Sequence, residues 1–124
     1  MRVTFTDREL DVMAVLWDRG SATVAEVRER LPDELAYTTV LSVLRTLEEK
    51  GHVGHRGEGK ANRYFPLVER RVAGRSALAR LIDTVFNGSP ELLLTQLVSD
   101  RDLTEEQIKR LRRLIDARIR GDKR

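Results

Sequence analysis

Thr38, Thr39, Ser42, Arg45 and Thr46 are the residues of this chain whose types and spacing could do chemistry together. At a helical period they fall on one side of a single helix. Val40, Val43, Leu44 and Leu47 take the other side, at the i, i+3, i+4, i+7 spacing of a stripe that faces a core. The chemistry on offer is hydrogen bonding. Short hydroxyl side chains let a helix backbone come close to a surface, and one guanidinium can fork onto a guanine edge or clamp a phosphate. A DNA major groove would accept such a face. An ordinary solvated helix has the same look, so the surrounding chain must decide.

The charge that follows this helix favours the first reading. Residues 1–50 hold more acid than base, but from Gly51 to Arg75 the bases Arg56, Lys60, Arg63, Arg70, Arg71 and Arg75 face only Glu58 and Glu69. A basic stripe beside a hydroxyl-rich helix is the footprint expected of phosphate binding. The period changes there too. His52 to Arg56 and Asn62 to Pro66 read as two short strands, joined by a flexible Gly57-Glu58-Gly59-Lys60-Ala61 turn. His55, Arg56, Lys60, Arg63 and Tyr64 would then line the hairpin and support contact with a nucleic-acid backbone.

Two helices precede this pair of features. Thr6-Asp7-Arg8-Glu9 is a capping box that opens a helix with Leu10, Met13, Leu16 and Trp17 on its apolar side, and Gly20 suits its C-terminal cap. Thr23-Val24-Ala25-Glu26 is a second capping box; its short helix turns Val24, Val27 and Leu31 inward and stops at Pro32. The third helix, Tyr37 to Lys50 with Gly51 as its stop, departs from that pattern, because Ala36 has no side-chain acceptor. Its free amides could meet a phosphate at the positive end of the helix dipole, or Thr38 could cap a slightly shorter helix. Three helices and a basic hairpin make a winged helix-turn-helix, predicted over residues 1–70 with the third helix as reader.

Residues 71–124 read as helical and different in character. Leu78, Leu81, Ile82, Val85 and Phe86 form one stripe, ended by Asn87-Gly88. Ser89-Pro90 opens a leucine-rich helix, and Thr104-Glu105-Glu106-Gln107 is a third capping box, before a helix with Ile108, Leu111, Leu114, Ile115 and Ile119. A unit of this size buries too little surface to enclose a large core. A second copy would cover it. Leu93, Leu94, Leu97, Leu111 and Ile115 are the interface candidates, although an intramolecular core would accommodate them equally. A twofold dimer would present two reading helices to half-sites about one DNA turn (~34 Å) or a multiple of it apart.

Composition removes most other functions. The 124 residues carry a net charge of +3, 40% hydrophobic and 5% aromatic residues, and no cysteine. Disulfides, thiolate metal sites and cysteine nucleophiles are therefore excluded. No stretch approaches the ~18 apolar residues of a membrane span, and the first residues do not read as a secretory leader, so a cytoplasmic location without membrane insertion is expected. His52 and His55, the two histidines, would point to opposite faces of a strand and make a poor metal pair. Gly57-Glu58-Gly59-Lys60 lacks the spacing of a phosphate-binding loop. No nucleophile–base pair appears, and no catalytic residue, metal or cofactor is expected.

The chain resembles the BlaI/MecI family of penicillinase and methicillin-resistance repressors. The resemblance rests on the Glu9 to Trp17 segment, AYTTVLSVLRTLEEKG, the strand exit NRYFPLVE, and the tail FNGSPELLLTQLVSDRDLTEEQIKRLRRLI. It implies a mainly α-helical protein: a winged helix-turn-helix with a small hairpin wing, followed by three helices that form a homodimer. It implies a repressor on a dyad operator. In several members release follows cleavage in the dimer region, triggered by a membrane β-lactam sensor-protease. The matching segment is near Gln96-Leu97, and the Asn-Phe pair that some members have there is missing. The rival from another class is a winged helix that docks a protein partner through its third helix. Large apolar anchors would mark that use, and Thr38, Thr39, Ser42, Arg45 and Thr46 supply none.

Overall fold

The computed structural model describes residues 3–100 and 102–121. Local sequence signals set most element boundaries. Helix α1 (Asp7–Arg19) starts at the Thr6 box, where the Thr6 hydroxyl accepts from the Glu9 amide and the Glu9 carboxylate accepts from the Thr6 amide. It ends at Gly20, whose φ of 87° suits a residue without a Cβ. The Thr23 box opens α2 (Val24–Arg30) in the same way. Helix α3 (Tyr37–Glu49) begins at Ala36 without any side-chain cap. Thr38 does not cap it: the Thr39 and Val40 amides both donate to the Ala36 carbonyl.

The hairpin is longer and tighter than expected. Strands β2 (Val53–Glu58) and β3 (Ala61–Pro66) pair antiparallel from Val53↔Pro66 to Glu58↔Ala61, so the connection is only Gly59-Lys60. Gly59 has a φ of 60° and Lys60 has no positive φ, the pattern of a two-residue II′ turn. The sequence reading missed a strand altogether. β1 (Ala22–Thr23) pairs with β3, through Ala22↔Tyr64 and Thr23↔Arg63, giving the order β1-β3-β2. Two residues that also belong to a helix cap give no alternation to recognise.

Around this sheet the first unit, Met1–Ala79, builds its core. Val12, Met13 and Leu16 of α1, Val27 of α2, Val40, Leu44 and Leu47 of α3, and Val53 and Tyr64 of the hairpin are buried together. Trp17 is half-buried at the edge, its Nε1–H donating to the Val68 carbonyl at 2.9 Å. Helix α4 (Arg70–Thr84) begins in this unit, where Ala73 is buried and Ser76 Oγ bonds the Val3 backbone in both directions. The division between the two units falls after Ala79, inside α4, whereas the sequence placed it at 70/71. The start of α4 carries the anchoring contacts that a boundary drawn from composition overlooks.

The second unit, Arg80–Arg124, holds the end of α4, α5 (Pro90–Asp100) and α6 (Glu105–Ile119). Helix α4 stops at Thr84, two residues short of the expected stripe, and turns through Asn87 and Gly88, both at positive φ. Ser89 caps α5 by accepting from the Leu92 amide, and the Thr104 box opens α6. Neither α5 nor α6 buries a single residue. Leu97, Ile108 and Ile115 stand exposed, and Ile119 is 77% exposed. Residues 122–124 of the expected helical region lie outside the described residues.

Candidate nucleic-acid interface

Burial of Val40, Leu44 and Leu47 fixes the rotation of α3, and the remaining side faces outward as a consequence. Thr38, Ser42, Arg45 and Thr46 are exposed on it and Thr39 is half-buried. Arg45 makes no ion pair among the described residues, so its guanidinium is available. The sequence reading missed Tyr37. It occupies the first turn of α3 next to Thr38 and is 46% exposed. An aromatic residue in a chain with so few was the available signal.

The register of the hairpin sorts the remaining candidates. Residues directly opposite one another share a face, so Gly54, Arg56 and Glu58 lie with Phe65, Arg63 and Ala61 on one side of the ribbon. On that side the Phe65 ring lies 3.0 Å from where a Gly54 Cβ would stand, and Arg56 packs over the same ring at 5.8 Å. A side chain at position 54 would press on this ring, which would have to give by a few tenths of an ångström. Arg56 remains exposed, and Lys60 is exposed at the tip without an ion pair among the described residues.

Three expected contacts are placed differently. Tyr64 is 2% exposed, on the inward side of the ribbon beside Val53, so its ring belongs to the core. Burial pushes its hydroxyl pKa up, and the nearby Glu48 charge adds to this against Arg45. Arg63 is occupied by Glu26 and Glu58. His55 faces α3, with Nδ1 2.7 and 2.9 Å from the Glu48 carboxylate oxygens and its ring 5.3 Å from that of Tyr64. Strand alternation puts Tyr64 and His55 together on the inward side, whereas Arg63 shares the side of Arg56 and is taken up by its two carboxylates. Glu48 and Glu58, the carboxylates nearest Arg45 and Lys60 in sequence, are engaged by His55 and Arg63, and neither pairs with Arg45 or Lys60.

His52 and His55 do not form a pair. The His52 ring meets that of Phe5 at a tilt of 55°, centroids 4.9 Å apart, while His55 meets Glu48, and no cluster of three or more metal-ligating side chains occurs among the described residues. In the second unit Leu93 and Leu111 are half-buried, and Leu94, Leu97 and Ile115 are exposed, as is Gln96 within α5.

Comparison with known proteins gives this geometry its context. A family model described as penicillinase repressor matches residues 5–117. The methicillin resistance regulatory protein MecI of Staphylococcus aureus (strain N315) is 23% identical over 110 residues, covering 87% of this chain and 89% of that protein. The transcriptional regulator BlaI of Mycobacterium tuberculosis (strain ATCC 25618 / H37Rv) is 39% identical over 99 residues, 74% of this chain and 70% of that one. The solution structure of the DNA-binding domain of the repressor BlaI superposes with a TM-score of 0.50 and 30% identity, over 56% of this chain and 90% of that domain. That superposition and the sheet order identify the first unit as a winged helix-turn-helix. With this fold and a family match over nearly its whole length, the chain belongs to the penicillinase repressor family.

Proposed function

We propose that this chain is a cytoplasmic, dimeric transcriptional repressor that occupies a pseudo-palindromic operator in the promoter of its target genes. The observation that carries the reading is the outward side of α3. Its hydroxyls and Arg45 stand with a wing whose tip carries Lys60, and neither cation makes an ion pair among the described residues. Thr38, Thr39, Ser42, Arg45 and Thr46 enter the major groove, while Arg56 and Lys60 reach the backbone. Double-stranded DNA and a second copy are the partners. The dimer is supported by α5 and α6, which bury nothing within one chain, and Leu93, Leu94, Leu97, Leu111 and Ile115 are the proposed seam.

Release by proteolysis in the dimer region is the finer part of this reading. Gln96 and Leu97 sit within α5, so a membrane sensor-protease cutting between them requires that helix to open locally. Cutting there would remove the apolar face that joins two copies.

A protein-docking winged helix would need apolar anchors, and Tyr37 is the one exposed large apolar side chain of α3 among the described residues. Affinity for a duplex of the protein's own promoter, measured over a salt series, separates the two uses. Each neutralised phosphate contributes a slope of about −0.9 in log affinity against log salt. A steep slope with a footprint of two related half-sites is expected; a flat one overturns the repressor reading.

A further inference from the structure

Arg63 spends every donor it has inside the protein. Nε donates to Glu58 Oε1 at 2.9 Å and Nη2 to Glu58 Oε2 at 3.0 Å. Nη1 donates to Glu26 Oε1 at 3.1 Å and Ser21 Oγ at 3.4 Å, and Nη2 also to Glu26 Oε2 at 3.3 Å. A guanidinium has five N–H groups, so none is left for a phosphate, and the side chain is only 17% exposed.

The partners come from separate elements. Glu58 ends β2 beside the Gly59-Lys60 tip, and Glu26 is the reciprocal half of the Thr23 capping box of α2. Arg19, in the last turn of α1, reaches the same Glu26 carboxylate at 3.4 Å. Two bases and two acids leave the cluster neutral, so it adds nothing to the attraction of a polyanion. What it can supply is position. Strand β1 reaches no further along β3 than Thr23↔Arg63, and from there to the tip the wing is a two-stranded ribbon. Such ribbons are marginally stable alone. The Glu58–Arg63–Glu26 bridge ties this unsupported end to α2.

We propose that Arg63 is a positioning residue: it fixes the wing tip, through Glu58 and Glu26, where Lys60 meets the DNA backbone, and does not itself contact DNA. The inference rests on the DNA-binding reading above.

A double-mutant cycle on the full chain tests it, reading the salt dependence of affinity for a duplex of the protein's own promoter. In the native background Lys60→Gln should reduce the magnitude of the slope by about 0.9, the value of one phosphate. In an Arg63→Gln background the same change should leave the slope unmoved. Arg63→Lys, which keeps the charge but not the fork, should behave as Arg63→Gln does. Glu58→Gln, which leaves the α2 cap and the Arg63–Glu26 pair in place, provides a second background should Arg63→Gln fold poorly, and should also abolish the Lys60 effect. Equal losses in all backgrounds, recovery by Arg63→Lys, or no Lys60 effect in the native chain each overturn the proposal. Loss of salt dependence in the native chain would overturn the DNA reading itself; additive losses on a steep native slope overturn only the role of Arg63.

Discussion

Lys50 Nζ stands 2.9 Å from Glu9 Oε2 and 3.0 Å from Oε1, joining the C-terminal cap of α3 to the first turn of α1. The Glu9 side chain is nearly buried while Lys50 remains partly in solvent. The same carboxylate also accepts the Thr6 amide, so it serves a helix cap and an interhelix tie at once. Lys50→Met removes the tie and leaves the carboxylate with its cap alone. The expected cost is about 1–3 kcal/mol, between an exposed pair and a broken buried one. Urea unfolding should show a lower midpoint with an unchanged m-value; an unmoved midpoint would class the pair with weak surface bridges.

Acid should dissolve several of these ties together. Burial pushes the Glu9 carboxyl pKa up, but the Lys50 and Thr6 contacts outweigh it and the net shift is downward. The Thr23 amide and then Arg63 lower Glu26, and Arg63 lowers Glu58. A carboxylate whose folded pKa is depressed contributes stability above its unfolded value, about 4.3. That contribution is lost as pH falls through the lowered folded value. The melting temperature should therefore hold steady from pH 7 to about 5 and fall progressively below that. Glu9→Gln should lower the plateau and flatten the fall; an equally steep fall in that variant would assign the acid sensitivity elsewhere.

Much of this was legible because it is local. A capping box is four residues long, so Thr6, Thr23 and Thr104 announce α1, α2 and α6 without knowledge of the rest of the chain. The apolar period of α3 likewise fixes which side carries Thr38, Ser42 and Arg45. The fates of Arg63 and Tyr64 were not legible, since they depend on a pairing across about forty residues with a strand only two residues long. Basic and aromatic side chains on a wing look alike in sequence whether they face DNA, a carboxylate or the core. Burial and ion pairing are tertiary facts, and they move those two residues off the proposed contact surface while leaving Arg56 and Lys60 on it.

Arg45 is the displayed cation of α3 without an ion pair among the described residues, which makes its replacement informative. Arg45→Ala should weaken binding to the promoter duplex by about 1–3 kcal/mol. If the guanidinium reads a guanine edge, the loss concentrates at one base position of each half-site, seen by measuring affinity for single-base operator variants. A uniform loss on every duplex, with the salt slope reduced by about 0.9, would make it a phosphate clamp instead. Because the side chain is exposed and makes no ion pair among the described residues, the melting temperature should stay within a degree or two. A large drop in melting temperature would remove Arg45 from the reading face.

Leu97→Asp tests the seam. In the single chain Leu97 is exposed on α5, so an aspartate there is hydrated and the helix should persist with unchanged circular dichroism. Between two copies the same carboxylate would be buried without a partner, at a cost of several kcal/mol. Sedimentation should then find monomers at concentrations where the native chain is dimeric. Operator affinity should fall further than any single contact explains, because the second half-site no longer binds at the high effective concentration that a joined partner provides. Leu67→Asp is the control: Leu67 is also exposed and apolar but lies in the first unit, so sedimentation should be unaffected. A dimer that survives Leu97→Asp places Leu97 outside the seam, and the apolar residues of α6, Ile108 and Ile115, become the next positions to replace.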